Sequence, residues 1–227
     1  MVETSFYAAL GLGFLLGIRH ATDADHMAAV STLVSEHRSL TRSCLLGTFW
    51  GLGHALALLG AGIATITLRL SISPALERSL EQGVGCMLIL LGGHALLKSL
   101  ASWSLRTHEH AHGEQAPRHV HLHPDAGQRH DHTYLLRAGR RPFVVGLAHG
   151  MAGSAALMVV AAAAMPSPIG GLLYILLFGA GATAGMLLLS GLIGLPFVLT
   201  ASRAPRALAL MQVLAGVISS GLGLTLL

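Results

Sequence analysis

Four side chains that can bind a metal ion lie within one short segment of the chain: His20, Asp23, Asp25 and His26. Two imidazoles and a carboxylate on one face suit a borderline divalent cation such as Ni²⁺, Co²⁺ or Zn²⁺. In a regular helix, at about 100° per residue, His20, Asp23 and His26 share one face and Asp25 lies on the other side. Asp25 then supports the site without binding the ion, whereas local unwinding of the helix brings Asp25 into the site.

Further histidines in other apolar segments are candidate ligands. His54 follows Gly51 and Gly53, whose small size lets another helix approach closely, and His149 begins the sequence His-Gly-Met-Ala-Gly-Ser. A single histidine in a membrane helix more often forms a hydrogen bond between helices, and this alternative applies above all to His94. The predicted metal site consists of His20, Asp23, Asp25, His26, His54 and His149.

The composition places these residues in a membrane protein. Asp, Glu, Lys and Arg make up 11% of the 227 residues, against roughly 25% in soluble domains. Apolar types make up 53%, and the mean hydropathy is +0.66. A soluble domain of this size needs a charged surface that this chain lacks. The composition therefore excludes a soluble enzyme, a disordered protein and a disulfide scaffold.

Six segments are long and apolar enough to cross a membrane, which takes about 20 residues of helix. The predicted fold is an all-α, polytopic membrane bundle of six transmembrane helices. Residues 1–104 form a first three-helix unit, residues 105–141 a cytoplasmic loop and residues 142–227 a second three-helix unit. The predicted spans are Ser5–Val34, Cys44–Leu70, Gly83–Trp103, Pro142–Ala164, Ile169–Thr200 and Arg206–Leu227.

The charged side chains of the first span must face the interior of the bundle. A central Asp or Arg costs about 2.5–3.5 kcal/mol on an insertion scale, and this segment carries Arg19, Asp23 and Asp25. Such groups need a partner charge, a metal ion or water. An ion pair between Arg19 and Asp23 is the simplest alternative to a metal site, but it leaves Asp25 and two histidines unexplained.

Lys and Arg are distributed unevenly between the predicted loops. With the N-terminus outside, eleven of the 14 lie on the cytoplasmic side, two lie outside and Arg19 lies within the membrane. Because positive loops face the cytoplasm, we predict a protein of the cytoplasmic membrane with both termini outside and the long loop inside. The arginines lie between apolar segments, so the net charge of +4 does not indicate a nucleic-acid partner.

The two halves of the chain are similar when one is shifted onto the other without a gap. A single constant shift superposes Gly17 on Gly146 and His20 on His149, and sparse matches continue in the next two predicted helices. Three helices per copy is an odd number, so the copies insert in opposite orientations. The sequence thus predicts a 3+3 inverted repeat, a common transporter plan with its site near the membrane midplane. The shared composition of apolar helices is the alternative explanation.

Two motifs carry a resemblance to a known family. Residues 19–26, Arg-His-Ala-Thr-Asp-Ala-Asp-His, resemble the signature of the nickel/cobalt transporter family, with its HX4DH pattern at His20, Asp25 and His26. Residues 51–54, Gly-Leu-Gly-His, resemble the second, LGH-containing motif. An acidic LGFDTATE-type motif is missing, and the segment from His149 is similar instead to a short, six-helix, urease-accessory-type branch. The resemblance implies a secondary carrier for Ni²⁺ or Co²⁺ in which those three residues are important.

A histidine-rich segment separates the two halves. From residue 106 to residue 133, eight of 28 residues are histidine, mostly in alternating His-x-His clusters, which can bind Ni²⁺, Cu²⁺ or Zn²⁺. Low apolar content with Pro, Gly and Gln predicts disorder. We interpret the segment as a cytoplasmic buffer that receives or presents metal, with a metallochaperone as a partner. A solvated linker is the alternative.

These features predict a secondary transporter and not an enzyme. The divalent metal ion, Ni²⁺ before Co²⁺, is the transported substrate, no prosthetic group is predicted, and uptake is favoured over efflux. No P-loop occurs, so an ion gradient, the membrane potential or sequestration inside drives the flux. Two alternatives belong to other classes: a haem or metal-dependent membrane enzyme, for which HExxH and CxxCH motifs are absent, and a non-transporting metal sensor or importer subunit.

Overall fold

The computed structural model of the chain describes residues 2–68, 73–103, 134–152, 161–162 and 164–227. Seven α-helices form this part of the chain, and the predicted all-α fold is confirmed. The helices are α1 (Val2–His20), α2 (Ala24–Ser35), α3 (Leu40–Leu68), α4 (Pro74–Trp103), α5 (Tyr134–His149), α6 (Pro168–Ala201) and α7 (Pro205–Thr225).

The first predicted span consists of two helices, so the assumption of a regular helix through its charged motif is wrong. Helix α1 ends at His20, and α2 begins at Ala24. Asp23 between them has an extended backbone, with φ −62° and ψ 147°. The amides of Thr22 and Asp23 donate to the carbonyls of Arg19 and His20, which closes α1 with short-range bonds. The break changes which side chains face each other across the motif.

Four helices are long and apolar enough to cross a membrane by length and composition: α3, α4, α6 and α7. Helix α4 begins at Pro74, well before the predicted start, and α6 continues without a break through Pro196. Helix α5 begins at Tyr134, inside the predicted loop, and ends at His149. Residues 104–133, 153–160 and 163 lie outside the described part, as do most of the predicted loop and half of the predicted fourth span.

Helices α3 and α6 pack against each other at the centre of the bundle. Helix α1 lies on α6, and α5 lies on α3. Small residues permit these contacts: a methyl group at Gly17 of α1 would overlap the carbonyl oxygen of Phe178 in α6. A methyl group at Gly53 of α3 would likewise overlap the carbonyl oxygen of Phe143 in α5. Backbones therefore approach closely where α1 and α5 carry their last residues toward the centre.

Helices α4 and α7 form a second pair. A Cβ atom at Gly85 would lie 2.7 Å from the carbonyl oxygen of Gly223, and one at Gly92 would lie 2.5 Å from that of Gly216. Helix α2 packs between this pair and α6. At the end of α2, the side-chain amide of Gln212 donates to the carbonyl of Ser35 at 2.8 Å. The short helix α2 thus joins the two groups of helices.

Candidate metal centre

Four histidines from four helices meet where α1 gives way to α2. His20 is the last residue of α1, His26 lies in the first turn of α2, His54 lies within α3, and His149 is the last residue of α5. The exposed fractions are 8% for His20, 1% for His26, 1% for His54 and 2% for His149. Imidazoles are rarely buried together without a shared task, because each carries polar nitrogens that need partners.

Three of these side chains form the first group, which we call the three-histidine group: His20, His26 and His54. Each offers one nitrogen, and the three nitrogens lie within 4.8 Å of one another. The Nε2 atoms of His20 and His54 are 3.2 Å apart. The ring centroids of His20 and His26 are 4.4 Å apart. All three side chains are buried, so a cation bound here is shielded from water.

Asp25, His26 and His149 form the second group, which we call the Asp25 group. One ligand atom from each lies within 4.8 Å of the other two. The carboxylate of Asp25 accepts from His26 Nδ1 at 2.9 Å and from His149 Nε2 at 2.8 Å. The break between α1 and α2 therefore brings Asp25 into the cluster, as local unwinding predicted. On a regular helix this carboxylate would lie on the far side.

The carboxylates determine which ring nitrogens can bind an ion. In a neutral imidazole one nitrogen carries a proton and the other a lone pair. His20 Nδ1 donates to Asp23 at 2.8 Å and His26 Nδ1 donates to Asp25, so the lone pair of each ring lies on Nε2. Metal-binding histidines commonly have this arrangement, with a carboxylate fixing the tautomer. Among the described residues, His26 Nε2 is buried without a hydrogen-bond partner.

Two predicted participants lie beside the cluster. Asp23 is outside both groups of potential ligands, half exposed at 53%, and it pairs with His20 and not with Arg19. His94 is 62% exposed on α4, where its Nε2 lies 3.5 Å from Glu36. Asp23 orients a histidine, whereas His94 belongs to a separate polar contact at the end of α2.

Sequence reasoning missed Trp50, which is fully buried against the cluster. Its ring stacks on that of His26, with centroids 5.3 Å apart and an angle of 25° between the planes. The ring of His149 is 5.7 Å away. Trp50 lies four residues before His54 on α3, so helical spacing could have identified it as a neighbour. The indole forms an apolar wall that limits the movement of the His26 ring.

Together, the fold and the site define a class of protein: a helical membrane protein that holds a buried histidine–carboxylate cluster at the break between two helices. The family model described as "High-affinity nickel-transport protein" matches residues 6–214. The chain therefore belongs to that family of nickel transporters, and the resemblance found in its motifs is confirmed.

Two curated proteins are similar to the chain. It is 40% identical over 228 residues to the urease accessory protein UreH of Bacillus sp. (strain TB-90), an alignment that covers 99% of this chain and 92% of the relative. It is 23% identical over 229 residues to the chloroplast protein FOR GROWTH AND FERTILITY 2 of Arabidopsis thaliana, covering 100% of this chain and 58% of the relative. No solved structure matches the chain significantly.

Proposed function

We propose that this chain is a secondary carrier that takes up Ni²⁺, and with lower preference Co²⁺, across the cytoplasmic membrane through the buried cluster. The observation that supports this site most strongly is the burial of four histidines whose protons are directed by two carboxylates. Imidazole suits Ni²⁺, Co²⁺ and Zn²⁺, whereas Mg²⁺ and Ca²⁺ prefer sites built from oxygen atoms alone. The family membership of the chain favours nickel among the first three.

The proposed ligands are His20, His26, His54, His149 and Asp25, and Asp23 holds His20 in place. Two carboxylates close to the cluster balance the charge of a divalent ion, which would otherwise be costly to bury in an apolar bundle. The pair Asp23–His20 and the pair Asp25–His26 also keep both rings neutral and directed. A carrier must bind an ion and also release it, and neutral imidazoles allow both.

Contacts of the central helices support the six-helix inverted repeat that we propose. Gly17 of α1 lies against the backbone of Phe178 in α6, and Gly146 of α5 lies against the backbone of Trp50 in α3. The two contacts exchange the roles of the two halves, as an approximate two-fold axis requires. The shift along the chain that relates Gly17 to Gly146 is nearly the same as the shift that relates Trp50 to Phe178.

The outer pair of helices supports the same repeat with a slightly longer shift. Gly85 contacts Gly223, and Gly92 contacts Gly216. If Gly85 corresponds to Gly216, and Gly92 to Gly223, then each contact again maps onto the other. The proposed equivalence therefore needs slightly different shifts for different helices, because the connections between the helices differ in length.

Alternating access between the two copies follows from this plan. We place both termini outside and the histidine-rich segment 106–133 in the cytoplasm, where it receives the ion or presents it to a metallochaperone. The first copy then reaches the cluster from the outside through α1, and the second reaches it from the cytoplasm through α5. Metal trapping inside favours uptake over efflux.

The decisive experiment is the flux of Ni²⁺ and Co²⁺ into proteoliposomes that contain this chain alone. We expect wild-type flux and the loss of at least about 90% of it in His20→Ala, because this change removes one lone pair and the partner of Asp23. His94→Ala is the matched control, since His94 is exposed and outside the cluster. Reversing the gradient tests direction. Metal binding without wild-type flux would contradict a carrier and favour a sensor or a subunit of an importer.

A further inference from the structure

The two groups of potential ligands share one residue, His26. The three-histidine group joins it to His20 and His54, and the Asp25 group joins it to Asp25 and His149. The rings of His54 and His149 are 6.2 Å apart, whereas each lies closer to His26, at 5.2 Å and 4.1 Å. His26 therefore lies between two separate sets of partners.

One ion cannot reach all five side chains as they stand. Metal–nitrogen bonds are about 2.0–2.1 Å long, so two atoms bound to one ion are separated by no more than about 4.2 Å. The atoms of each group lie within 4.8 Å of one another, and small shifts bring either set to an ion. His54 and His149 belong to different sets, and bringing both to the same ion requires a larger rearrangement.

His26 presents a different nitrogen to each group. Its Nδ1 is bonded to Asp25 at 2.9 Å, and its Nε2 is buried without a hydrogen-bond partner among the described residues. His149 likewise uses Nε2 toward Asp25 and leaves Nδ1 without a partner in that part of the chain. The two groups also differ in charge, because the first is formed by imidazoles alone and the second contains a carboxylate.

We propose that the ion crosses the cluster in two steps, first bound by one group and then by the other, with His26 as the ligand common to both. This inference rests on the proposed function. When the ion leaves Nε2 of His26 for Nδ1, the proton on Nδ1 moves to Nε2; on His149 the proton moves from Nε2 to Nδ1. No net proton is released, and no bond to the ion needs to be replaced by water.

The buried indole of Trp50 fits this plan. It stacks on His26 with ring centroids 5.3 Å apart and also borders His149. A flat apolar wall beside the shared ligand keeps water out of the cluster while leaving the ring edge, where the nitrogens lie, open to both groups.

The test compares equilibrium binding of Ni²⁺ with flux in three variants of the full chain. His54→Leu leaves the Asp25 group intact, His149→Leu leaves the three-histidine group intact, and His26→Leu removes the shared ligand. We expect the first two to bind one Ni²⁺ with affinity reduced about 10-fold to 100-fold and to lose flux, whereas His26→Leu loses both. X-ray absorption at the nickel edge should count two imidazoles in His54→Leu and three in His149→Leu.

Equal loss of binding in all three variants would overturn the two-step proposal and indicate a single site. Wild-type flux in His54→Leu or His149→Leu would also overturn it, since either group would then suffice. These results leave the carrier function intact, because wild-type flux is measured in the same preparation; absence of wild-type flux contradicts the carrier itself. Should a leucine variant fail to fold, His54→Gln and His149→Gln keep the volume and a polar group at the same positions.

Discussion

Asp23 and Asp25 are two residues apart in the chain and have different tasks in the cluster. Asp25 lies in a ligand group and accepts hydrogen bonds from two histidines, whereas Asp23 accepts one from His20 and is half exposed. On a continuous helix the order would be reversed, with Asp23 facing the site. The break at residues 21–23 therefore decides which carboxylate matters more.

We expect Asp25→Asn to abolish nickel binding and flux, because the amide cannot hold both histidine protons and carries no charge. Asp23→Asn should reduce nickel affinity about 10-fold to 100-fold, as the loss of a carboxylate behind a metal-binding histidine usually does. Calorimetric titration of the two purified variants with Ni²⁺ measures the difference. An equal effect of both substitutions, or a larger one for Asp23→Asn, would contradict the assignment.

At the scale of helices, glycine positions determine how closely the elements around the cluster approach. Gly53 lies one residue before His54, and a methyl group there would overlap the carbonyl oxygen of Phe143 in α5. Backbone cannot move aside as a flexible side chain can. The distance between α3 and α5 also sets the position of His149, which ends α5. A change in this packing should therefore reach the metal centre.

Gly53→Ala should lower stability by about 1–3 kcal/mol, the usual cost of overpacking, and should weaken nickel binding. Gly60→Ala on the same helix is the matched control, because a Cβ atom at Gly60 has no neighbour within 4 Å. Thermal unfolding in detergent and nickel titration of both variants provide the comparison. Identical behaviour of the two variants would show that the contact between α3 and α5 does not position the site.

At the scale of the whole molecule, orientation in the membrane decides which end of the cluster receives the ion. Lys and Arg favour the cytoplasmic side for the linker between α6 and α7 and the outer side for the linker before α4. Ser202 and Ser73 are exposed residues in these two linkers. Both can be replaced without disturbing the cluster, which lies in other helices.

In a background with Cys44→Ala and Cys86→Ala, we expect Ser73→Cys to react with a membrane-impermeant maleimide added to intact cells. Ser202→Cys should react only after the membrane is opened, because its linker faces the cytoplasm. Gel shifts of the labelled protein provide the measurement. The opposite pattern would reverse the proposed topology, and with it the route by which each copy reaches the site.

Local chemistry determined most of what could be predicted. Low charge and long apolar segments require membrane helices, and α6 and α7 follow the predicted spans within a few residues. The spacing of His20 and His26, with the added histidines of later segments, pointed to a metal site, because intramembrane charged and polar groups need partners. The residue types alone also predicted the preference for a borderline cation.

Other features depend on contacts between distant parts of the chain. Periodicity assumes a continuous helix, so it could not predict that α1 ends at His20 and that Asp25 turns toward His149, 124 residues away in the chain. Trp50 gave no chemical signal of its own, and only packing against His26 revealed its place.

The sequence by itself thus determined that this is a helical membrane protein with ligands for a metal such as nickel, since composition and residue chemistry are local properties. Only the tertiary structure decided which ligands share a group and that His26 belongs to both. The physical reason is that ligand groups are defined by distances across helices, and these distances follow from the helix break and from backbone contacts at glycines.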